Sequence, residues 1–255
     1  GERPERFRSM AAELVSLKPD VLVGVSPPSA VALKNTGTAI PIVFTSVGDA
    51  VAVGLVQAVS KPGGSITGFT LLSAHLTAKR LQLLIEILPG TKRIGVLYNP
   101  DNPLSGRVVR DLASATRTLR VGADYAQART GGDIDTAFAQ FARSSIKAVL
   151  VAPDALLWLE RKRIAGAAIS AGIVETQAFR EGAEAGSLFS YGANIPEVVR
   201  QTTDYVVRIL LGTRPQDLPV MEPSRFELVI NLKTAKALGL KIPPSVLARA
   251  DQVIE

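Results

Sequence analysis

Apolar residues along the chain follow two alternating patterns, one with the period of a helix and one typical of a buried strand. The first group recurs at helical spacing and consists of Phe7, Met10, Ala11, Leu14 and Leu17. This pattern ends at Pro19, and the apolar run 21–25 follows it. The opening of the chain is therefore predicted to be an amphipathic helix that leads into a buried strand.

The same alternation continues through the rest of the chain. It predicts further strands at residues 42–45, 66–69, 94–98, 123–126, 148–151, 173–176, 188–191 and 226–232. It predicts helices at residues 30–35, 51–59, 76–88, 105–119, 134–142, 159–171 and 198–211, with a short helix near the C-terminus. Apolar strands that alternate with amphipathic helices are typical of parallel sheets covered on both faces, so we expect an α/β protein.

A turn at residues 89–92 is followed by a second, similar series of strands and helices. One parallel sheet could hold all of the strands, but the fresh series favours two lobes. The length of 255 residues is compatible with one large or two small domains.

Composition narrows the possible functions. The chain has no cysteine and a single histidine, His75. It therefore lacks the side chains that disulfides, thiolate metal sites and most His-based catalytic sites require. The longest stretch without charged residues, 62–78, contains a proline and several glycines and does not predict a membrane span. The formal net charge of +6 comes from basic residues spread along the chain without a nucleic-acid-binding pattern. We expect no metal, no cofactor and no nucleic-acid partner.

Polar loops follow directly after several predicted strands. In parallel sheets, ligands bind at the carboxyl ends of the strands, where loops leave the sheet and helices begin. The candidate ligand-binding residues in and beside these loops are Ser26, Ser29, Asp49, Tyr98, Asn99, Ser105, Asp154 and Tyr191.

Each of these side chains has a binding role and a structural alternative. Ser26 and Ser29 either receive a ligand carboxylate beside a helix N-terminus or only cap that helix. Asp49 either accepts hydrogen bonds from an ammonium or hydroxyl group of the solute or caps the helix at 51–59. Asp154 either faces the solute or forms an Asx turn after its strand.

The remaining candidates have similar alternatives. Tyr98 either stacks on a flat solute or packs in the core, and Tyr191 belongs equally to core or site. Asn99 either binds the polar end of the solute or forms a turn. Ser105 either donates to the same polar end or caps its helix.

Four segments resemble one protein family, in order along the chain. They are IPIVFTSVGD (40–49), KPGGSITGF (61–69), VLYNPDNP (96–103) and FELVINLKTAK (226–236). With these segments the chain is similar to the ABC transporter substrate-binding proteins related to the tryptophan- and tyrosine-binding type. The resemblance implies a periplasmic-binding-protein type I fold, in which two Rossmann-like lobes with parallel sheets close on a small solute.

The resemblance also implies a domain division and a biological role. We expect a first lobe of residues 1–91 and 195–220 and a second lobe of residues 92–194 and 221–255. The protein would be a monomeric, periplasmic solute-binding component of an ABC importer, which passes its solute to a membrane permease without chemical change. Members of the family usually begin with a strand, a helix and a second strand ahead of the segment that resembles residues 2–7. We therefore expect the first lobe to lack these elements and the chain to lack its export signal.

The leading hypothesis is a protein that binds an amino acid or an aromatic carboxylate. Asp49 and Asp154 are predicted to face each other across the cleft and hold the polar end of the solute, with Tyr98 stacked on its flat part. A ligand-sensing regulatory domain of the same fold is an alternative. An enzyme on a Rossmann-like sheet is less favoured, because the candidate aspartates lack a partner of known catalytic spacing.

Overall fold

The strands form two separate sheets. This structure, a computed structural model, describes the backbone of residues 4–71 and 73–255 and the side chains of residues 5–71 and 76–255. Its strands are β1 (Leu22–Val25), β2 (Ile42–Val47), β3 (Ile66–Thr70), β4 (Arg93–Tyr98), β5 (Gly122–Gln127), β6 (Ala148–Val151), β7 (Val174–Gln177), β8 (Phe189–Ala193), β9 (Phe226–Asn231) and β10 (Gln252–Ile254). The first three strands form one sheet, and the other seven form a second sheet of order β10-β9-β8-β7-β6-β4-β5.

Helices connect most of these strands. They are α1 (Pro4–Ser16), α2 (Pro27–Asn35), α3 (Ser73–Ile87), α4 (Ser105–Leu119), α5 (Gly131–Arg143), α6 (Ala155–Leu159), α7 (Arg161–Ser170), α8 (Arg180–Ala185), α9 (Ile195–Leu210), α10 (Leu232–Ala237) and α11 (Pro244–Leu247). Among the residues that the structure describes, no helix has both the length and the apolar character needed to cross a membrane.

The chain forms two compact units, each built around one sheet. The first unit comprises the described residues of 1–72 together with 102–104 and 194–225. The second unit comprises the described residues of 73–101, 105–193 and 226–255. This division differs from the predicted lobes at residues 73–91, 102–104, 194 and 221–225.

Helix α3 belongs to the second unit, although the predicted first lobe extended to residue 91. Its Leu81 and Leu84 are fully buried in the same hydrophobic cluster as Ile94 of β4, so α3 covers the seven-stranded sheet. Residues 221–225 belong to the first unit, because Met221 pairs with Phe69 of β3.

The first unit contains three parallel strands with helices packed on them. Phe44 of β2 is fully buried in its core. Helix α9 also belongs to this unit, since the ring of Tyr205 lies 4.8 Å from the ring of Phe69 in an edge-to-face arrangement. The Tyr205 hydroxyl donates a hydrogen bond to the carbonyl of Pro219 at 2.8 Å. The return of this helix to the first lobe is thus explained by aromatic packing.

The predicted helix at residues 51–59 is wrong, because this segment forms a turn at 51–54 and an irregular chain with bends after it. Gly54 has a φ of +70°, in the left-handed region, which a right-handed helix cannot contain. Leu55 is still buried, and its N–H donates to the carbonyl of Ala50 at 2.8 Å. The apolar spacing therefore reflects burial of a compact loop. The predicted strands are all present, with small shifts at their ends.

The second sheet is parallel except for one pair. β9 runs antiparallel to β8, and Ala193 at the end of β8 pairs with Phe226 at the start of β9. Between these residues the chain passes through the first unit. The chain re-enters the sheet at the same end of the strands at which β8 left it. β9 therefore runs in the direction opposite to β8.

Different helices cover the two faces of this sheet. On one face Leu84 of α3 and Leu112 of α4 are buried in one cluster, and on the other Phe138 of α5 and Ile164 of α7 are buried in a second. The predicted helix at 159–171 is present as α7, and the pattern did not predict α6, which Glu160, with ψ of 10°, separates from α7.

Candidate functional site

The second sheet has a topological switch point between β4 and β6. β4 pairs with β5 on one side and with β6 on the other. The loop after β4 leads to α4 on one face of the sheet, and the loop after β6 leads to α6 and α7 on the opposite face. Loops that diverge in this way leave a crevice at the carboxyl ends of the strands, where ligands bind in open α/β sheets.

Asn99 and Asp154 meet at this switch point. The Nδ2 of Asn99 lies 3.3 Å from both Oδ1 and Oδ2 of Asp154, and both side chains are partly buried. The Oδ1 of Asp154 also accepts from the N–H of Leu157 at 3.1 Å, which caps α6. The Oδ1 of Asn99 accepts from the N–H of Asp101 at 3.0 Å and forms a turn. Asp154 therefore caps a helix and Asn99 forms a turn, as their structural alternatives predicted. Their mutual contact also holds a carboxylate and an amide together at the crevice.

Ser105 stabilises the loop that carries Asn99. It is the first residue of α4, is buried, and donates its hydroxyl to the carbonyl of Asn99. This contact ties the start of α4 to the end of β4. Binding of a solute by Ser105 stays a prediction.

Tyr98 packs toward β5. Its ring lies 6.4 Å from the ring of Tyr125, nearly perpendicular to it, and its hydroxyl accepts a hydrogen bond from Nε2 of Gln127 at 2.9 Å. Burial raises the pKa of the Tyr125 phenol. These contacts are those of the packing alternative for Tyr98, and its stacking on a solute stays a prediction.

Tyr191 lies beside a charged pair that the sequence pattern does not indicate. Its ring is 6.5 Å from that of Phe226, across the antiparallel pair of β8 and β9. One residue further along, Gly192 pairs with Glu227, whose Oε2 lies 2.9 Å from a guanidinium nitrogen of Arg180. Arg180 and Glu227 are 47 positions apart, and the pairing of β8 with β9 places Glu227 beside Gly192, next to Tyr191.

In the first unit, Ser26 and Ser29 lie at the N-terminus of α2. Ser26 has a φ of +83° and occupies the cap position without a capping hydrogen bond from its side chain. Ser29 donates its hydroxyl to the carbonyls of Val25 and Ser26. The first two helical residues, Pro27 and Pro28, carry no N–H, so this helix offers a ligand carboxylate fewer backbone donors than an ordinary N-terminus.

A second serine in the first unit has a strained backbone. Ser46 of β2 has a φ of +57°, in the left-handed region where non-glycine residues are uncommon. With Ser26, it places strained backbone near the carboxyl ends of the neighbouring strands β1 and β2. Strain of this kind is concentrated at functional sites. No feature of the sequence indicates it.

Asp49 caps the turn that follows β2. Its Oδ1 accepts from the N–H of Val51 at 3.1 Å and from that of Ala52 at 2.9 Å. The capping alternative is therefore present, although the capped segment is a turn and not a helix. The predicted placement of Asp49 opposite Asp154 stays a prediction.

Besides Glu227, two buried ionisable residues were not among the sequence candidates. Arg80 of α3 is fully buried, and it shares one helical face with Leu84, a spacing that could have revealed it. Glu175 of β7 is also buried, and burial raises its pKa to about 7, while Ser187 and Gln177 oppose that rise. Within the described part of the chain, no cluster of three or more His, Cys, Asp or Glu residues could hold a metal.

Comparisons with known proteins place these features in a family. The family model described as ABC transporter substrate binding protein matches residues 2–254. A tyrosine-binding protein from Clostridioides difficile (strain R20291) is 28% identical over 236 residues, which are 92% of this chain and 67% of that protein.

Solved structures agree with this match. The crystal structure of a conserved domain protein from Vibrio cholerae O1 biovar eltor has a TM-score of 0.92 and 33% identity, over 98% of this chain and 84% of that chain. The crystal structure of an ABC domain from Streptococcus pneumonia in complex with L-Trp has a TM-score of 0.90 and 25% identity, over 99% of this chain and 84% of that chain. The predicted α/β fold of the periplasmic-binding-protein type I kind is confirmed. The matching family binds solutes and is not a family of enzymes, and this chain belongs to it, the ABC transporter substrate-binding proteins.

Proposed function

We propose that this protein binds an amino acid, with L-tyrosine and L-tryptophan as the first candidates, and serves an ABC importer. The observation that carries the proposal is the contact between Asn99 and Asp154 at the switch point of the second sheet. The names of two similar proteins, a tyrosine-binding protein and an ABC domain in complex with L-Trp, support the choice of solutes.

The chemistry of this contact suits an ammonium group. Asp154 supplies a carboxylate that is partly buried, and a charge-assisted hydrogen bond to a ligand ammonium is stronger there than in water. Asn99 orients the carboxylate, because its amide donates to both oxygens. The α-ammonium group of an amino acid is the matching ligand group.

Ser26, Ser29 and Asp49 are the residues of the first unit that we propose as ligand-binding residues. Asp49 keeps its carboxylate partly exposed while capping its turn, so it can accept further hydrogen bonds. The partner of the loaded protein would be a membrane permease. The protein would be located in the periplasm, outside the cytoplasmic membrane, and would act as a monomer.

Isothermal titration of the purified protein with the twenty amino acids tests the proposal directly. We expect at least one aromatic amino acid to bind and to raise the melting temperature, because a ligand that binds only the folded state stabilises it. Mass spectrometry of the recovered ligand should show an unchanged molecule. If no amino acid binds or shifts the melting temperature, the proposed solute class is wrong, and recovery of a chemically altered ligand would contradict a pure binding role.

A further inference from the structure

Arg80 is a buried cation at the carboxyl edge of the second sheet. The residue has no solvent-exposed surface, and one guanidinium nitrogen donates to Oγ1 of Thr77 at 2.9 Å. A second nitrogen is 3.4 Å from the carbonyl of Val151, the last residue of β6. Asp154 follows Val151 by only three residues, so the guanidinium lies near the base of the loop that carries Asp154.

The hydrogen-bonding capacity of Arg80 is incompletely used. A guanidinium has five N–H donors, whereas the buried Nε of Arg80 has no hydrogen-bond partner among the described residues. Within the part of the chain that the structure describes, no carboxylate forms an ion pair with Arg80. Burial lowers its pKa to about 9, so the group still carries its charge at neutral pH.

A buried charge without a counter-charge is costly to a folded protein. Arg180, the first residue of α8, shows the contrasting case, because its guanidinium is paired with Glu227 at 2.9 Å. Unlike Arg180, Arg80 therefore has a guanidinium that can still bind an anion. A carboxylate is the group that best matches a guanidinium, since it can accept two parallel hydrogen bonds.

We infer that Arg80 binds the carboxylate of the solute and thereby selects amino acids over the corresponding amines. This inference rests on the proposed function, in which Asp154 holds the ammonium group. Because Arg80 has no solvent-exposed surface, a carboxylate bound to it is shielded from water. The resulting ion pair is then poorly screened by water and strongly favours ligands that carry a carboxylate.

Matched ligands with and without the carboxylate test this assignment. We would titrate the wild type, Arg80→Met and Arg180→Met with L-tyrosine and tyramine, and with L-tryptophan and tryptamine. The wild type should prefer the amino acid by about tenfold or more, the effect of one charge-assisted contact. Arg80→Met should lose most of this preference through weaker binding of the amino acid, with binding of the amine unchanged. Arg180→Met should keep the preference.

The outcomes separate this inference from the proposed function. If the wild type binds none of the four compounds, the inference fails, and the proposed function fails with it unless another of the twenty amino acids binds. If it binds amino acid and amine equally well, or if folded Arg80→Met keeps the wild-type preference, the role of Arg80 is wrong while the proposed function stands. Should Arg80→Met not fold, Arg80→Lys decides, since it keeps the charge but not the paired donors. Its preference should fall about threefold or more, and an unchanged preference would overturn the inference.

Discussion

The side-chain amide of Asn99 faces both carboxylate oxygens of Asp154, at 3.3 Å from each, although the two residues are 55 positions apart. They meet because β4 and β6 are neighbours in the sheet while β5 lies on the far side of β4. The contact therefore marks the point where the order of the strands reverses. In sheets of this kind that point is the usual place for a ligand.

Replacement of Asp154 by asparagine should separate charge from capping. Asparagine is as good a helix cap as aspartate, so α6 should keep its bond to the N–H of Leu157 and the melting temperature should change little. Loss of the carboxylate should weaken amino-acid binding by about tenfold or more in titration calorimetry.

Asp133→Asn is a suitable control for this variant. Asp133 belongs to the exposed capping box of α5, where hydrogen bonds from the backbone of Arg129 and from Thr130 lower its pKa. Its replacement should reduce stability slightly and leave binding unchanged. Normal binding by Asp154→Asn would show that the carboxylate only caps its helix.

Asp49 allows a similar separation in the first unit. Asp49→Asn keeps an oxygen that can accept from the N–H groups of Val51 and Ala52, whereas Asp49→Ala removes it. We expect Asp49→Ala to lose about 1 kcal/mol of unfolding free energy, as for a lost cap. Both variants should bind the solute about tenfold more weakly if the charge contacts it. Undiminished binding by Asp49→Asn, measured together with its melting curve, would limit Asp49 to its turn.

Glu175 should make stability depend on pH. Its pKa is about 7 in the folded protein against 4.5 for the unconstrained group, so the folded state binds the additional proton between these values. Stability is therefore greatest below about pH 4.5 and falls as the pH rises to about 7, with a total loss of about 3 kcal/mol from this group.

Glu175→Gln removes this titration, so comparison of the variant with the wild type at two pH values isolates its effect on stability. In urea unfolding, the variant should be more stable than the wild type at pH 8, and this advantage should shrink at pH 4.5. A difference between the two proteins that is the same at both pH values would show that Glu175 ionises normally in the folded state.

Gly192 tests the backbone packing beside Tyr191, and Gly166 of α7 is its control. A Cβ atom on Gly192 would lie 2.0 Å from the carbonyl oxygen of Ala178, so Gly192→Ala should cost at least about 2 kcal/mol. A methyl group on Gly166 of α7 would meet no atom of the described residues within 4 Å, and Gly166→Ala should be neutral or stabilising by up to about 1 kcal/mol. Chemical denaturation of both variants measures the contrast, and equal effects would contradict the close approach of β8 to Ala178.

The elements and their class follow from local pattern. The run at residues 148–151 is a fully buried strand, and the amphipathic spacing at 105–119 is a helix with Val108 and Leu112 buried. Local pattern predicts secondary structure less reliably where a loop is buried. Residues 51–59 have apolar spacing because Leu55 and Val56 are buried, but Gly54 turns the backbone out of a helix.

The sequence by itself determined the α/β alternation, the loops after the strands and, through four segments, the family. Only the tertiary structure decided which of those loops meet, because strand order depends on packing between distant segments. It brought Asn99 to Asp154 and Arg180 to Glu227, and it buried Arg80 without an ion-paired carboxylate from the described residues. A single sequence carries no local signal for such pairings, since each partner looks like an ordinary polar residue at the end of a strand or within a helix.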